Sequence, residues 1–388
     1  MIATGISALF FFPLAMHLVQ VARWFTGVAG AFHEKTEDDA PVHEGAAPSR
    51  ATEVTVVLPV RNEARTLPRL LGDLASGRTL PQEVIIVDDA SDDGTVDVVG
   101  GNGPWPFSLR IIENPGRGKK AGLSAGIRAA TRPWVVQVDA DVRVGKRFLD
   151  SISRELKMRG QGKDMFLLPL RLSNHADGAP KTTFDRLQAL DFAAMQGWAV
   201  SAVRRGRPAM ASGGAWIWRA SAFPHDGLRP DIASGDDVFS LAALLERGDG
   251  ARVGWCGQRN AMASAATMPD FAGLLDQRIR WGAKATAYPA ALTEARRVAM
   301  TIAAVHLSGL LLIPLAPAAA LAFWIAKALM DMAYTHRVAK LYDLLDGIGP
   351  VTRWGNLLLL AVVHPVFIIT TLVLMPFRKV QWKGRSTA

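Results

Sequence analysis

The residues of this chain best suited to chemistry are acids at short spacing. Asp139 and Asp141 flank Ala140 directly after the apolar run Trp134–Val138. In an extended segment alternate side chains face the same way, so the two carboxylates would repel unless something cationic lay between them. A divalent cation carrying a diphosphate would remove that repulsion, and hard oxygen ligands favour Mg²⁺ or Mn²⁺ over zinc. Asp-X-Asp also arises by chance, so the spacing alone decides little. Asp88 and Asp89 close the run Val84–Val87, while Asp92 and Asp93 precede Gly94-Thr95 and read first as turn or capping residues. Asp236 and Asp237 follow Gly235 at the start of a helical pattern, where a carboxylate either caps the helix or works in a site. Gln277-Arg278-Ile279-Arg280-Trp281 joins an amide, two guanidiniums and an indole. On a helix Gln277 shares a face with Arg280 and Trp281. Arginine forks bind phosphate and tryptophan stacks on sugars or apolar groups; an interfacial helix on lipid phosphates is the plainer alternative.

These residues need a scaffold that places them together. Four Val/Ile-rich runs, Glu53–Val60, Val84–Val87, Leu109–Ile112 and Trp134–Val138, alternate with helical stretches. Continuous apolar runs of this kind predict an α/β unit with a mostly parallel sheet buried on both faces. Ligands of such sheets sit beyond the carboxyl ends of the strands. That rim would carry Pro59, Arg61, Asn62, Glu63, Asp88, Asp89, Asp139 and Asp141. Ala211–Arg219 adds a glycine pair among aromatic residues, either a close backbone approach to a ligand or a tight turn beside a buried Trp.

The remaining hydrophobicity sits at the chain ends. Ile2–Val21 is mostly apolar and uncharged with Arg23 behind it, which predicts a retained membrane anchor over 1–28 rather than a cleaved signal. A polar linker over 29–52 and a soluble domain over 53–297 follow, then a membrane region over 298–388 with two or three helices and a basic tail. Pro314 and Pro317 break the apolar zone that starts at Val298, which is one crossing or the first arm of a hairpin. Arg23, Arg296, Arg297 and the tail from Arg378 to Arg385 favour the cytoplasmic side and three crossings, with four the alternative. Lys327, Arg337 and Lys340 then fall on the wrong side or on an interfacial helix. His306 and His364 lie in apolar zones with no acid nearby in sequence and read as packing residues, and Trp324, Trp354 and Trp382 as interfacial anchors.

Composition removes several classes. With 388 residues, 49% hydrophobic, 20% charged and a mean hydropathy of +0.16, the chain is neither disordered nor an ordinary soluble enzyme. A lone cysteine, Cys256, excludes an internal disulfide framework and a multi-cysteine zinc site. No Gly-X-Gly-X-X-Gly follows the first strand, which excludes a dinucleotide-dependent dehydrogenase. The net charge is +9, but many of the basic residues cluster beside the membrane segments and no basic stripe is evident in the soluble part, which argues against nucleic acid as a partner.

With these pieces in order, the chain resembles the membrane-bound family 2 glycosyltransferases of GT-A fold, over roughly Thr52–Gly282 and the flanking helices. The pieces are Leu58–Glu63, Val87–Ser91, Asp139-Ala140-Asp141, Gly235-Asp236-Asp237 and Gln277–Trp281, and Gly118–Leu123 looks like the family's lysine loop. The first two are common in the wider family; the last two typify members acting on lipid or polymer acceptors. The resemblance implies that Pro59, Asn62, Glu63, Asp88, Asp89, Lys119 and Asp139 bind the nucleotide sugar. It implies that Asp139 and Asp141 hold Mg²⁺ or Mn²⁺, that Asp237 beside Asp236 is the general base, and that Gln277, Arg278, Arg280 and Trp281 serve the diphosphate and the acceptor. Many relatives have Glu-Asp where this chain has Asp236-Asp237.

The implied activity is an inverting, metal-dependent, non-processive hexosyl transfer. It would run from a nucleotide-sugar donor, UDP-linked by the family's bias, to a lipid or lipid-linked acceptor at the cytoplasmic membrane face. One carboxylate suffices as base for a single displacement, so no second nucleophilic acid is needed. The alternatives are a processive polysaccharide synthase and, from another class, a non-catalytic membrane-anchored nucleotide-sugar-binding protein.

Overall fold

The computed structural model describes residues 2–33, 48–173, 180–232, 234–248, 250–378, 381–382 and 385–386. Most of the expected linker and the tail residues Lys379 and Lys383 lie outside the described residues. Helix α1 (Ile2–Gly27) opens the chain. Two compact units follow from the contacts, one of residues 30–178, 210–266 and 381–388, the other of residues 1–29, 179–209 and 267–380.

The first unit is built on a sheet. β1 (Ser49–Val60), β2 (Thr79–Asp88), β3 (Ser108–Glu113) and β4 (Trp134–Val138) are the four expected strands, and they pair in parallel in the order β3-β2-β1-β4. Val54, Val56, Val57, Leu58, Val84, Ile85, Val135 and Val136 are fully buried, as a sheet covered on both faces requires. α2 (Leu67–Ala75), α3 (Thr95–Gly101) and α4 (Gly118–Ala129) link these strands, and Gly126 of α4 leaves no room for a Cβ against Val57 and Val87. After β4 come the short β5 (Arg143–Val144), α5 (Phe148–Arg159), β6 (Met165–Leu167) and β7 (Leu170–Ser173).

The sheet is completed by β8 (Ala215–Arg219) and β9 (Val253–Trp255), giving the order β3-β2-β1-β4-β8-β6-β9. β8 runs antiparallel to both β4 and β6, and its Trp216 and Trp218 are fully buried. It pulls the Ser212–Gly214 turn onto the end of β4, where Asp139 N donates to Gly214 O at 2.9 Å. A second sheet joins β5, β10 (Ala263–Ala266) and β7.

The second unit is helical. It holds α1, α6 (Thr183–Arg204), α8 (Phe271–Ala283), α9 (Thr293–Leu315), α10 (Pro317–Leu341) and α11 (Pro350–Leu374), while α7 (Asp236–Glu246) belongs to the sheet unit. Residues 179–209 and 267–297 therefore pack with the terminal helices, although they fall inside the stretch expected to form the soluble domain. The reason is local: Gly197 lets α6 close onto Tyr334 and Val338 of α10, where a Cβ would come within 2.6 Å of both. Between Pro314 and Pro317 the helix ends and restarts, α9 closing at Leu315 and α10 opening at Pro317. Among the described residues, 290–315 and 350–374 are long and apolar enough to cross a membrane. Both keep large apolar side chains exposed, Met300, Leu307 and Leu315 on one and Leu358, Val362 and Val366 on the other. Leu14, Val305, Leu312, Ala320 and Phe323 form a shared core of α1, α9 and α10.

Candidate active site

The carboxyl rim of the sheet gathers the acids. Asp139 leaves β4 and enters a tight turn, with Val142 N donating to Asp139 O at 3.0 Å. Ala140 and Asp141 thus lie in a turn rather than on the extended segment the spacing suggested, because the chain must reverse into β5. Lys119, on the first turn of α4, reaches into this place. Its Nζ lies 2.6 Å from Asp139 Oδ1 and 3.0 Å from Asp236 Oδ2, and donates to Gly213 O at 3.0 Å. Gln137 Nε2 donates to the same Asp139 oxygen at 2.7 Å. Burial alone would pull the ammonium down, but Asp139 and Asp236 outweigh it and hold Lys119 charged, above the ordinary lysine range. Asp139 is shifted the other way from most carboxylates. Burial raises it, Asp141 and Asp236 raise it further, and Lys119 opposes them only in part.

Backbone geometry explains how Asp236 and Asp237 arrive there. Gly235 precedes α7 with φ at 86°, the left-handed region that glycine enters without strain, so the helix can start with both acids on its first turn. Asp236 is buried and Asp237 half-buried. A Cβ on Gly213 would sit 3.3 Å from Asp237 Oδ2, so this glycine leaves the carboxylate its room. Gly214 is equally confined, a Cβ there meeting Leu170 at 2.8 Å. The glycine pair serves close backbone approach, and the buried tryptophans of β8 lie just beyond it.

The other acids of the rim are engaged in shaping loops. Asp88 accepts from Ser91 Oγ at 2.5 Å and from Ser91 N at 3.2 Å. Asp89 is buried and accepts from Asn114 Nδ2 at 2.8 Å and from Gly118 N at 3.0 Å, which ties the lysine loop to the end of β2. Asn62 and Ala90 adopt φ of 54° and 55°, a costly conformation for non-glycine residues and one that concentrates at functional loops. Asn62 Oδ1 accepts from Asp92 N at 3.0 Å, Glu63 N donates to Thr95 Oγ1 at 2.8 Å, and the Glu63 carboxylate accepts from Thr66 Oγ1. Asp93 accepts from Ala64 N and Thr95 N, each at 3.0 Å, as the turn-and-cap reading requires. Pro59 stays within β1, paired with Val87.

Gln277, Arg278, Arg280 and Trp281 lie on α8, in the helical unit. Arg278 is buried and committed: Nη2 donates to Asp191 Oδ2 at 2.5 Å and Nη1 contacts Met195 Sδ at 3.2 Å. Its guanidinium lies 4.6 Å from the Trp281 ring centroid, and Trp281 packs against Phe192. Gln277 and Trp281 are half-buried, and Gln277 Oε1 is a buried acceptor with no donor among the described residues.

Three contributors escaped the sequence reading. Lys120 Nζ donates to Arg229 O at 2.8 Å and Ile232 O at 2.7 Å and lies 4.5 Å from the Phe239 ring, holding the loop that leads to Asp236. Only its place beside Lys119 hinted at a role. Asn114, at the end of β3, braces Asp89 and Gly118 O. Asp191 partners Arg278 from α6, eighty-seven positions away in sequence.

The donor set suits a hard divalent cation. Asp139 and Asp141 supply oxygens at the rim, and an ammonium already lies against Asp139 and Asp236. Among the described residues no three His, Cys, Asp or Glu side chains form a closed metal cage. Such a place fits Mg²⁺ or Mn²⁺, which are commonly held by one or two carboxylates plus substrate phosphates and water.

Comparison with known proteins bears on the same region. Residues 55–158 match the family described as glycosyl transferase family 2. The chain carries a family 2 glycosyltransferase domain. Undecaprenyl-phosphate 4-deoxy-4-formamido-L-arabinose transferase of Serratia proteamaculans is 31% identical over 117 residues, 29% of this chain and 35% of that protein. An uncharacterized glycosyltransferase of Mycobacterium tuberculosis is 33% identical over 103 residues, 26% of this chain and 43% of that protein. The chain thus spans less than half the length of these curated relatives. A mannosyltransferase from Pyrobaculum calidifontis, solved with GDP-mannose and Mn²⁺, superposes with a TM-score of 0.52 at 17% identity, covering 97% of this chain and 98% of that one. That likeness gives the chain the GT-A fold, with its mostly parallel mixed sheet and apolar helices near the C-terminus.

Proposed function

We propose that this glycosyltransferase moves a sugar from a nucleoside-diphosphate donor, UDP-linked by preference, to a lipid or lipid-linked acceptor at the cytoplasmic membrane face. The observation that carries this reading is the Lys119 ammonium shared by Asp139 and Asp236 at the strand rim. Acids that crowd one another around a lysine, at the start of a helix, form a place suited to a cation with a diphosphate. The exposed apolar faces of α9 and α11 support a lipid acceptor, as does the undecaprenyl-phosphate named for the Serratia relative.

The reaction is a single displacement with inversion. The acceptor oxygen forms a bond to the anomeric carbon while the bond from that carbon to the diphosphate oxygen breaks. A hydroxyl acceptor gives its proton to Asp237, the base of this scheme, beside which Gly213 carries no side chain. Lys119 remains charged beside Asp139 and contributes positive charge to the diphosphate. A Mg²⁺ or Mn²⁺ held by Asp139 and Asp141 would neutralise the charge that builds on the leaving group. Gln277, Arg280 and Trp281 assist the diphosphate and the acceptor in this scheme, with Arg278 bound to Asp191 rather than to substrate.

The test uses detergent-solubilised chain, Mn²⁺, a panel of labelled nucleotide sugars and a bacterial lipid extract. Metal-dependent label in the organic phase, lost in Asp237→Asn, is the expected result and identifies the donor. Label in water-soluble polymer would replace this reading with a processive synthase. Binding of a nucleotide sugar without transfer to any acceptor fraction would favour a non-catalytic binding protein.

A further inference from the structure

A carboxylate outside every motif meets the Gln277–Trp281 helix. Asp191 sits in the middle of α6, where the buried Arg278 donates to its Oδ2 at 2.5 Å. His364 of α11 approaches the other oxygen, with Nε2 3.4 Å from Oδ1. Three helices, α6, α8 and α11, thus meet on one acid inside a single unit. The side chain of Asp191 is 18% exposed and that of Arg278 9%, so the pair is largely withdrawn from water. Burial would raise the Asp191 carboxyl, but Arg278 and then His364 overcome it and bring it down to about 2.

The consequence for α8 is directional. Arg278 is fixed at one end by Asp191 and Met195 and at the other lies over Trp281, itself against Phe192 of α6. Rotation of α8 about its own axis would break the ion pair to Asp191 and the Trp281–Phe192 contact together, while the Arg278–Trp281 contact, internal to α8, would turn with the helix. Leu275 and Ile279 hold the next stripe of the helix against Phe367, Leu374 and Met375. Gln277 and Arg280 are therefore presented by a helix whose rotation is set from behind by a neutralised charge.

We propose that Asp191 is a positioning residue, acting through Arg278 and with His364 to fix the rotation of α8 and so the aim of Gln277, Arg280 and Trp281. The inference rests on the transferase reading above for its effect on rate, and on the structure alone for its effect on α8. A misplacement of about 1 Å can cost a rate of about 100-fold. Asp191→Asn keeps the shape and removes the charge. It should lower kcat about 10- to 100-fold with the donor KM within about twofold. Amide exchange in residues 271–283, followed by mass spectrometry in detergent, should become at least about tenfold faster while β1 and β4 are unchanged. Asp191→Glu should restore part of the rate.

If the single variants fail to fold, the reversed pair Asp191→Arg with Arg278→Asp decides. Recovery of folding together with measurable transfer supports the proposal, and a folded, well-protected α8 without transfer overturns it. Wild-type exchange and kcat in Asp191→Asn would also overturn it. Absence of transfer by the unmodified chain counts against the transferase reading; the exchange of α8 then decides the role of Asp191 by itself.

Discussion

The sheet rim and the helical unit treat charge in opposite ways. At the rim Asp139, Asp141 and Asp236 act on one another, and Lys119 compensates only in part. In the helical unit charges are matched locally. Lys327 donates to Asp331 at 2.6 Å, His17 Nε2 lies 2.8 Å from the other Asp331 oxygen, and Arg278 meets Asp191. Matched ions hold helices together, whereas acids that raise one another's affinity for protons make a place where an arriving cation is favoured. The same residue types thus form interhelical fastenings in the helical unit and, on the function proposed above, a working site at the rim.

This contrast can be broken most forcefully at the rim. Asp237→Asn and Asp139→Asn should each lower sugar transfer by about 10²- to 10⁴-fold with little change in melting temperature. The comparison fails if both variants melt early and transfer normally. An acceptor that attacks through an already ionised phosphate would need no base, so a mild Asp237→Asn effect beside a severe Asp139→Asn effect would identify that acceptor class. The converse is expected in the helical unit. Asp331→Ala strands Lys327 and should cost about 3–5 kcal/mol of stability, read as an early thermal transition in detergent, while nucleotide binding by the surviving folded fraction is kept.

A smaller effect is expected at Glu83, a buried acid of the sheet unit that is fully matched. It accepts from Thr55 Oγ1 at 2.9 Å, from Arg110 at 2.9 Å and from Thr131 N at 3.2 Å. Burial would raise this carboxyl, but these donors outweigh it and leave it below its usual value. Its contribution is therefore present at neutral pH, where the group is ionised in both states. It is lost as pH falls from the ordinary glutamate range through the lower folded value. Glu83→Gln should cost about 1–3 kcal/mol at pH 7 and flatten this acid-side loss in a denaturation series. The smallest effect is at Thr182, whose side chain accepts from Asp185 N at 3.0 Å in a capping box at the start of α6. Thr182→Ala should cost about 1 kcal/mol, measured as a shift in thermal midpoint.

Much of the rim was legible because a parallel sheet writes itself as short Val/Ile runs with acids at their ends. Asp88, Asp89 and Asp139 needed only that pattern to be placed. The insertion of β8 between β4 and β6, antiparallel to both, was not legible, because its position depends on where two tryptophans find burial. His364 read as a histidine without an acidic partner, yet Asp191 comes within 3.4 Å from another helix. Lys327 read as falling on the wrong side of the membrane or on an interfacial helix, yet it is buried in α10 against Asp331 one turn on. Both depend on helix packing, which periodicity within one segment does not encode. Arg278 looked like a phosphate ligand for the same reason: the side chain that occupies it lies on α6.

The most direct test of the central contrast is calorimetric titration of UDP and of GDP into detergent-purified chain, with Mn²⁺ and with EDTA, for the unmodified protein and Asp139→Asn. Crowded acids that await a cation bearing a diphosphate predict binding with Mn²⁺, little or none in EDTA, and loss in the variant. Equal binding in EDTA, or binding untouched by Asp139→Asn, would contradict it.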